Sequence, residues 1–184
     1  MGEPDPNLSD DALLVLYANG NGRAVQELTM RLSPRCFGVA MRVLGNRAEA
    51  EDVTQEAMMR LWRMAPDWEP GQAKVSTWLY RVVVNAAHDR RRRAATRSKA
   101  ASGWGDWELD RQAAIADTNS QLDWLTRAMQ ALPDDLRDTL ALILDDVTHA
   151  DAADILGISP GTVSWRVSEA KKHLRALKEQ EDAS

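Results

Sequence analysis

Cysteine, net positive charge and long apolar runs are what this 184-residue chain lacks. With Cys36 alone, no internal disulfide can form, and a reducing, cytoplasmic setting is expected. One thiol cannot build a cysteine-based metal site. His88, His149 and His173 are scattered, and no glycine-rich phosphate loop occurs. No catalytic residue, metal or cofactor is therefore expected, and the chain is read as a non-enzyme. No apolar stretch approaches the roughly 20 residues that span a bilayer. The acidic start, MGEPDPNLSDD, does not read as a secretory signal. Strand-like alternation of useful length is missing too, which leaves an all-α chain.

The net charge is −5, unusual for a protein that grips duplex DNA unaided. What positive charge there is comes in islands. Arg90, Arg91, Arg92, Arg93, Arg97 and Lys99 form one block, and the C-terminal helix holds another. Acidic patches lie at Asp5, Asp10 and Asp11, and again at Glu49, Glu51, Asp52 and Glu56. Such a chain needs a larger partner to carry it to DNA.

The most informative segment is 147–178, VTHADAADILGISPGTVSWRVSEAKKHLRALK. It predicts two helices joined by a tight turn. Ala152, Ala153, Ile155 and Leu156 supply the apolar face of the first. Gly157 can take the positive φ of the corner. Ser159 stands at the N-cap and Pro160 at the first helical position. Val163, Val167, Ala170 and Leu174 pack the second helix back, leaving Arg166, Lys171, Lys172, Arg175 and Lys178 on its other face. This pattern predicts a DNA-reading helix-turn-helix; a helical hairpin with a solvated basic face is the plainer alternative.

The rest divides into a helical domain over 1–96, a flexible linker over 97–119 and a second small helical domain over 120–184. In the first, helices are expected near Leu13–Tyr17, from about Arg23 through Leu32, and from Pro34 to Leu44. A fourth runs from Ala48 to about Met64 and a fifth from a Ser76 cap into the arginine block. On the fourth, Ala50, Val53, Ala57 and Leu61 face inward. Asp52, Gln55, Glu56 and Met59 share another face by the three-and-four rule. That stripe reads as a solvated face or as a dock for a basic partner helix. On the fifth, Leu79, Val82, Val83 and Ala86 point inward, and Trp78, Arg81, Asn85, Asp89 and Arg92 point outward. A Trp beside Arg and Asn suits stacking on an unpaired base; a core Trp is the plainer reading. The preceding loop adds Trp68, Gln72 and Lys74 as a wall for such a base. In the linker, Trp104 and Trp107 are either loosely docked on a neighbouring domain or contacts for a partner. In the second domain, Leu122, Leu125, Met129 and Leu132 form one stripe, followed by Leu136, Leu140 and Ile143 or Leu144. His88 reads as a surface residue or a phosphate contact.

Three stretches in order carry a resemblance: Asp52-Val53-Thr54-Gln55-Glu56 with Leu61-Trp62; Ser76-Thr77-Trp78-Leu79-Tyr80-Arg81 with Asn85 and Asp89-Arg90; and Ile155-Leu156-Gly157-Ile158-Ser159 with Gly161-Thr162-Val163. Together they resemble bacterial sigma factors of the extracytoplasmic-function (ECF) group, over nearly the whole chain. The resemblance implies a subunit that directs core RNA polymerase to promoters, with the beta-prime and beta subunits, promoter DNA and an anti-sigma factor as partners. It implies that Asp52, Gln55, Glu56 and Met59 dock on the beta-prime coiled coil. It implies that Trp68, Lys74, Ser76, Thr77, Trp78, Arg81, Asn85, Asp89 and Arg92 melt and read the minus-ten element. Thr162, Ser164, Trp165, Arg166, Ser168, Glu169, Lys171 and Lys172 would then read the minus-thirty-five element. The linker acids Asp106, Glu108 and Asp110 would lie near the RNA exit path. The chain departs from the family at Met58, where Phe is usual, and at Ser164, Trp165 and Glu169 of the recognition helix. Glu169 can only accept, typically from cytosine, so a different upstream element is expected. An adaptor that titrates an anti-sigma factor, or a free-standing helix-turn-helix regulator, are the alternatives.

Overall fold

The computed structural model describes residues 8–71, 73–101 and 120–183, and their side chains except those of 97–101 and 120–123. All regular structure among them is helical: α1 (Asp10–Ala18), α2 (Gly22–Leu44), α3 (Arg47–Met64), a short 3-10 turn (Ala65–Asp67), α4 (Val75–Ala101), α5 (Ser120–Gln130), α6 (Asp134–Ile143), α7 (His149–Leu156) and α8 (Pro160–Asp182).

Two expected breaks fall elsewhere. Pro34 does not separate two helices, because α2 runs through it. Leu28, Leu32, Cys36, Val39 and Val43 form one buried stripe across it. Pro34 has no N–H to donate, but it and Met30, four residues earlier, are exposed, so water can serve the freed carbonyl. At α4 the helix starts at Val75, and Ser76 lies inside the first turn instead of capping it. Asp11 of α1 takes over that duty: its Oδ1 accepts the Val75 N–H at 3.1 Å. At its far end α4 extends to Ala101, beyond the expected boundary at 96. The rest of the linker, including Trp104, Asp106, Trp107, Glu108 and Asp110, lies outside the described residues.

The helix-turn-helix forms as its sequence specifies. Gly157 ends α7 with φ +66°, and Ser159 Oγ accepts the Thr162 N–H at 3.0 Å to start α8. Ala152, Ala153, Ile155, Val163, Val167 and Ala170 are buried between the two helices and α6. A residue that the sequence pattern did not single out ties α5 to α6. Arg137, only 8% exposed, donates to the carbonyls of Met129, Gln130 and Leu132 at 2.9, 2.9 and 2.8 Å. These include the carbonyls that end α5, which a helix cannot satisfy itself.

The halves α1–α4 and α5–α8 pack against each other. α2 meets α5 and α6, and α4 meets α7, so the buried residues of both halves form one continuous core. Gly45 shows how tight the seam is. It ends α2 at φ +66°, and a Cβ there would lie 2.6 Å from the Gln130 side chain. That Gln130 amide in turn donates to the Arg42 carbonyl at 2.9 Å.

Candidate functional site

Three surfaces hold the residues singled out from sequence. The first is on α3. Ala50, Val53, Ala57 and Leu61 are fully buried, which turns Asp52, Gln55, Glu56 and Met59 outward into one groove with Arg60, Arg63 and Arg90. Met59 is 47% exposed, an apolar centre ringed by charge. Arg90, reaching over from α4, binds Glu49 at 2.7 Å and lies 3.6 Å from Asp52 and 3.5 Å from Glu56. The Glu49 hydrogen bond, and then the other acids against the opposing effect of burial, hold its guanidinium above the ordinary arginine pKa. Without Arg90 these carboxylates would repel one another across adjacent turns.

The second surface is the outer face of α4. Arg81, Asn85 and Arg92 are exposed, and Arg92 pairs with Asp89. The other candidates are less open than expected. Trp78 and Trp68 are half-buried and pack against the core, so neither is a free stacking plate. The plainer reading of these two aromatics therefore fits their bodies, because apolar ring area is worth more in the core than in water. The Trp68 Nε1 is buried and has no hydrogen-bond partner. Ser76 is half-buried and Thr77 is 7% exposed. The Lys74 ammonium contacts both carboxylate oxygens of Asp151, at 3.1 and 2.9 Å. Arg81 donates to the Asp154 carbonyl at 2.7 Å. Both contacts reach across to α7. His88 is not simply a surface group: it and Arg91 bind Asp138 of α6.

The third surface is α8. Ser164, Trp165, Ser168, Lys171 and Lys172 are exposed along it, and Trp165, at 58%, is no core residue. Thr162 is half-exposed and shares a hydrogen bond with Ser159. Glu169 is held by Lys172 at 2.6 Å, which offsets part of its charge. Arg166 departs from its expected place on the open basic face. Its side chain is 20% exposed and lies 3.4 Å from Asp135 of α6, because its helical position turns it toward α6.

Comparison with known proteins places the chain in a family. Residues 28–97 match the family model for sigma-70 region 2, and residues 122–174 that for sigma-70 region 4. The chain is 31% identical over 173 residues to the ECF RNA polymerase sigma factor SigM of Mycobacterium tuberculosis, covering 92% of this chain and 84% of that one. The chain belongs to the ECF RNA polymerase sigma factors. The RpoE sigma factor of Cereibacter sphaeroides is 27% identical over 153 residues, with 83% and 84% covered. Among solved structures, CnrH in complex with the cytosolic domain of CnrY superposes with a TM-score of 0.70 at 23% identity, covering 96% of this chain and 99% of that one. RpoE of Bartonella quintana, in complex with the anti-sigma factor NepR, gives 0.68 at 22%, with 84% and 96% covered. At those identities the two structures speak for the all-α fold alone.

In this sigma factor the region-two match covers α3 and most of α4, and the region-four match ends within α8. Sequence reasoning named Arg90 only as part of the basic block and of the second resembling stretch, and did not single out Arg137, Asp138 or Asp145, which accepts from Arg35 Nε of α2 at 3.1 Å and from the Tyr80 hydroxyl of α4. The arginine block was visible. Which acid each arginine meets depends on helices far apart in sequence.

Proposed function

We propose that this sigma factor anchors on core RNA polymerase through α3, captures the melted minus-ten strand on the outer face of α4, and holds the upstream element with α8. The observation that carries this reading is the α3 groove, where exposed Met59 sits among Asp52, Gln55 and Glu56. An apolar centre within an acidic rim is complementary to a basic partner helix with an apolar contact at its middle. Residues 1–96 then serve anchoring and melting, and 120–184 serve upstream recognition.

On α4, Arg81, Asn85 and Arg92 track and read the displaced strand, and Lys74 and Thr77 join them once freed from α7. Trp68 and Trp78, half-buried, offer ring edges instead of open faces. Strand opening is drawn by binding of the displaced strand, without nucleotide hydrolysis. On α8, Lys171 and Lys172 contact phosphates, while Trp165 and Ser164 face base edges or sugars. Arg166 supports α8 from behind. The protein acts in the cytoplasm, and an anti-sigma factor controls it. No described helix is long and apolar enough to cross a membrane.

Retention on purified core polymerase tests the anchor. Asp52→Ala with Glu56→Ala is expected to lower retention at least tenfold, the equivalent of about 1.4 kcal/mol. Unchanged retention refutes the α3 assignment. The same variant also separates a polymerase subunit from a free-standing regulator, which would bind its operator regardless of α3.

A further inference from the structure

The outward face of α8 is built around an indole. Trp165 lies midway between Val163 and Val167, both buried, and each is about 200° from it around the helix axis. Trp165 is therefore aimed away from the core, and it is 58% exposed. An indole left in water forgoes one of the largest apolar contributions a side chain can make. It is also the sixth residue of α8, in the opening turns that a recognition helix lays against base edges.

The polar groups around it are engaged elsewhere. Arg166, one position on, turns to Asp135 of α6, which withdraws its guanidinium from the centre of the face. Lys172 closes on Glu169 at 2.6 Å. The Ser164 hydroxyl donates to the Pro160 carbonyl at 3.1 Å and shares a hydrogen bond with His149 of α7. The centre of the face thus offers an apolar ring and, four residues further on the same side, a carboxylate. Of the four bases, only thymine presents a methyl group in the major groove, and cytosine presents an amino donor with no acceptor beside it.

We propose that Trp165 and Glu169 set the upstream sequence preference: the indole packs on a thymine methyl group, and the Glu169 carboxylate accepts from the amino group of a cytosine one or two base steps away. Four residues of helix advance about 6 Å, and successive bases lie about 3.4 Å apart, which gives that spacing. Lys172 supplies the counter-charge that lets a carboxylate enter a groove lined by phosphates. This rests on the assignment of α8 to the upstream element.

The test uses core polymerase with the full chain. A promoter that this holoenzyme transcribes, randomised across its upstream element, supplies the duplex library. The unchanged chain should select a thymine with a cytosine one or two steps away. Uracil in place of each selected thymine in turn removes only a methyl group. At one position it should weaken holoenzyme binding about fourfold, the effect of uncovering one methyl-sized group. Trp165→Ala should bind the thymine and uracil duplexes equally. Glu169→Gln should shift the preferred cytosine to adenine, which glutamine reads with two hydrogen bonds, and keep the thymine–uracil difference. A uracil effect that survives in Trp165→Ala, or no thymine whose methyl group matters, overturns the role of the indole. A cytosine preference unchanged in Glu169→Gln overturns that of the carboxylate. Weaker retention of Trp165→Ala on core polymerase, with base preferences intact, would place the indole against protein and overturn the proposal as well. Should the unchanged chain show no upstream preference while still transcribing, the reading of α8 itself fails, and this inference with it.

Discussion

Replacing Arg137 by Met should destabilise the chain far more than an ordinary arginine substitution. Arg137 holds the α5–α6 corner through three charge-assisted hydrogen bonds to main-chain carbonyls. Methionine keeps much of the apolar stem and removes the fork. The Met129 carbonyl would still receive the Leu132 N–H at 3.1 Å. The Gln130 and Leu132 carbonyls would lose the guanidinium donor that serves both. A buried carbonyl left without a donor costs about 1–3 kcal/mol, and the third bond adds about 1 kcal/mol. The ion pair with Asp134 contributes little, since that acid is 68% exposed. We therefore expect a loss of about 3–7 kcal/mol, or on the order of 10–20 °C in melting temperature for a chain of this length. Lysine should lose most of the same stability, because a single ammonium cannot span the carbonyls that the planar guanidinium bridges. Burial and the neighbouring Arg91 push the Arg137 pKa down from the ordinary arginine value, so the carbonyl cage is what keeps this charge tolerable. Urea denaturation followed by circular dichroism gives the comparison. A loss below about 1 kcal/mol for Arg137→Met would refute the argument, because it would mean that water serves these carbonyls as well as the arginine does.

Two further outcomes follow from ionisation. Burial, with the nearby charge of Asp145 and against the opposing effect of Arg35, pushes the Cys36 thiol up to about 12; in the native protein Cys36 should therefore resist alkylation by iodoacetamide at neutral pH and react only on unfolding, and rapid native labelling followed by mass spectrometry would contradict this. The Asp151 carboxyl lies below its ordinary range because Lys74 donates to it, with further help from Thr148 and Thr77 against the desolvation that raises it; its contribution to stability is thus present above the unfolded pKa of about 3.9 and is lost as pH falls through the lower folded value, so Lys74→Met should flatten the stability profile between pH 5 and the acid transition, and an unaltered acid limb in chemical denaturation would show the contact to be inert.

The local parts of this fold were legible because local chemistry decides them. The Gly157 corner, the Ser159 cap and the stripes on α3 and α8 follow from spacing and from backbone hydrogen bonds left open at helix ends. Pro34 misled because a rule about one missing N–H was set against a buried stripe longer than either expected helix, and the stripe prevailed. Ser76 misled because the group that caps α4 comes from Asp11, 64 residues away. Trp78 and Arg166 share one cause. Both lie on the polar side of their helices by period, yet Trp78 packs partly against the core and Arg166 turns toward α6. The seam between the halves was illegible for a related reason. Asp138 and Asp145 look like ordinary surface acids until α2 and α4 are brought against them.

The arginine block shows why a charge run is a poor guide to a binding surface. In sequence, Arg90 to Arg93 form one basic patch. On α4 each successive residue turns about 100° around the axis, so the run is shared among different neighbours. Arg90 turns to α3 and binds Glu49, with Asp52 and Glu56 close by. Arg91 turns to α6, where it meets Asp134 at 3.0 Å and Asp138 at 3.2 Å. Arg92 is 81% exposed and pairs with Asp89 on its own helix. Arg93 is also exposed. One sequence motif thus pairs with the acids of α3, with those of α6 and with Asp89 of its own helix. These roles can be separated by substitution because the side chains of Arg90 and Arg91 face different helices. It also bears on how an acidic sigma factor can approach DNA. Many of its acids are gathered opposite specific arginines, where the charges offset one another locally and do not repel DNA across the whole surface.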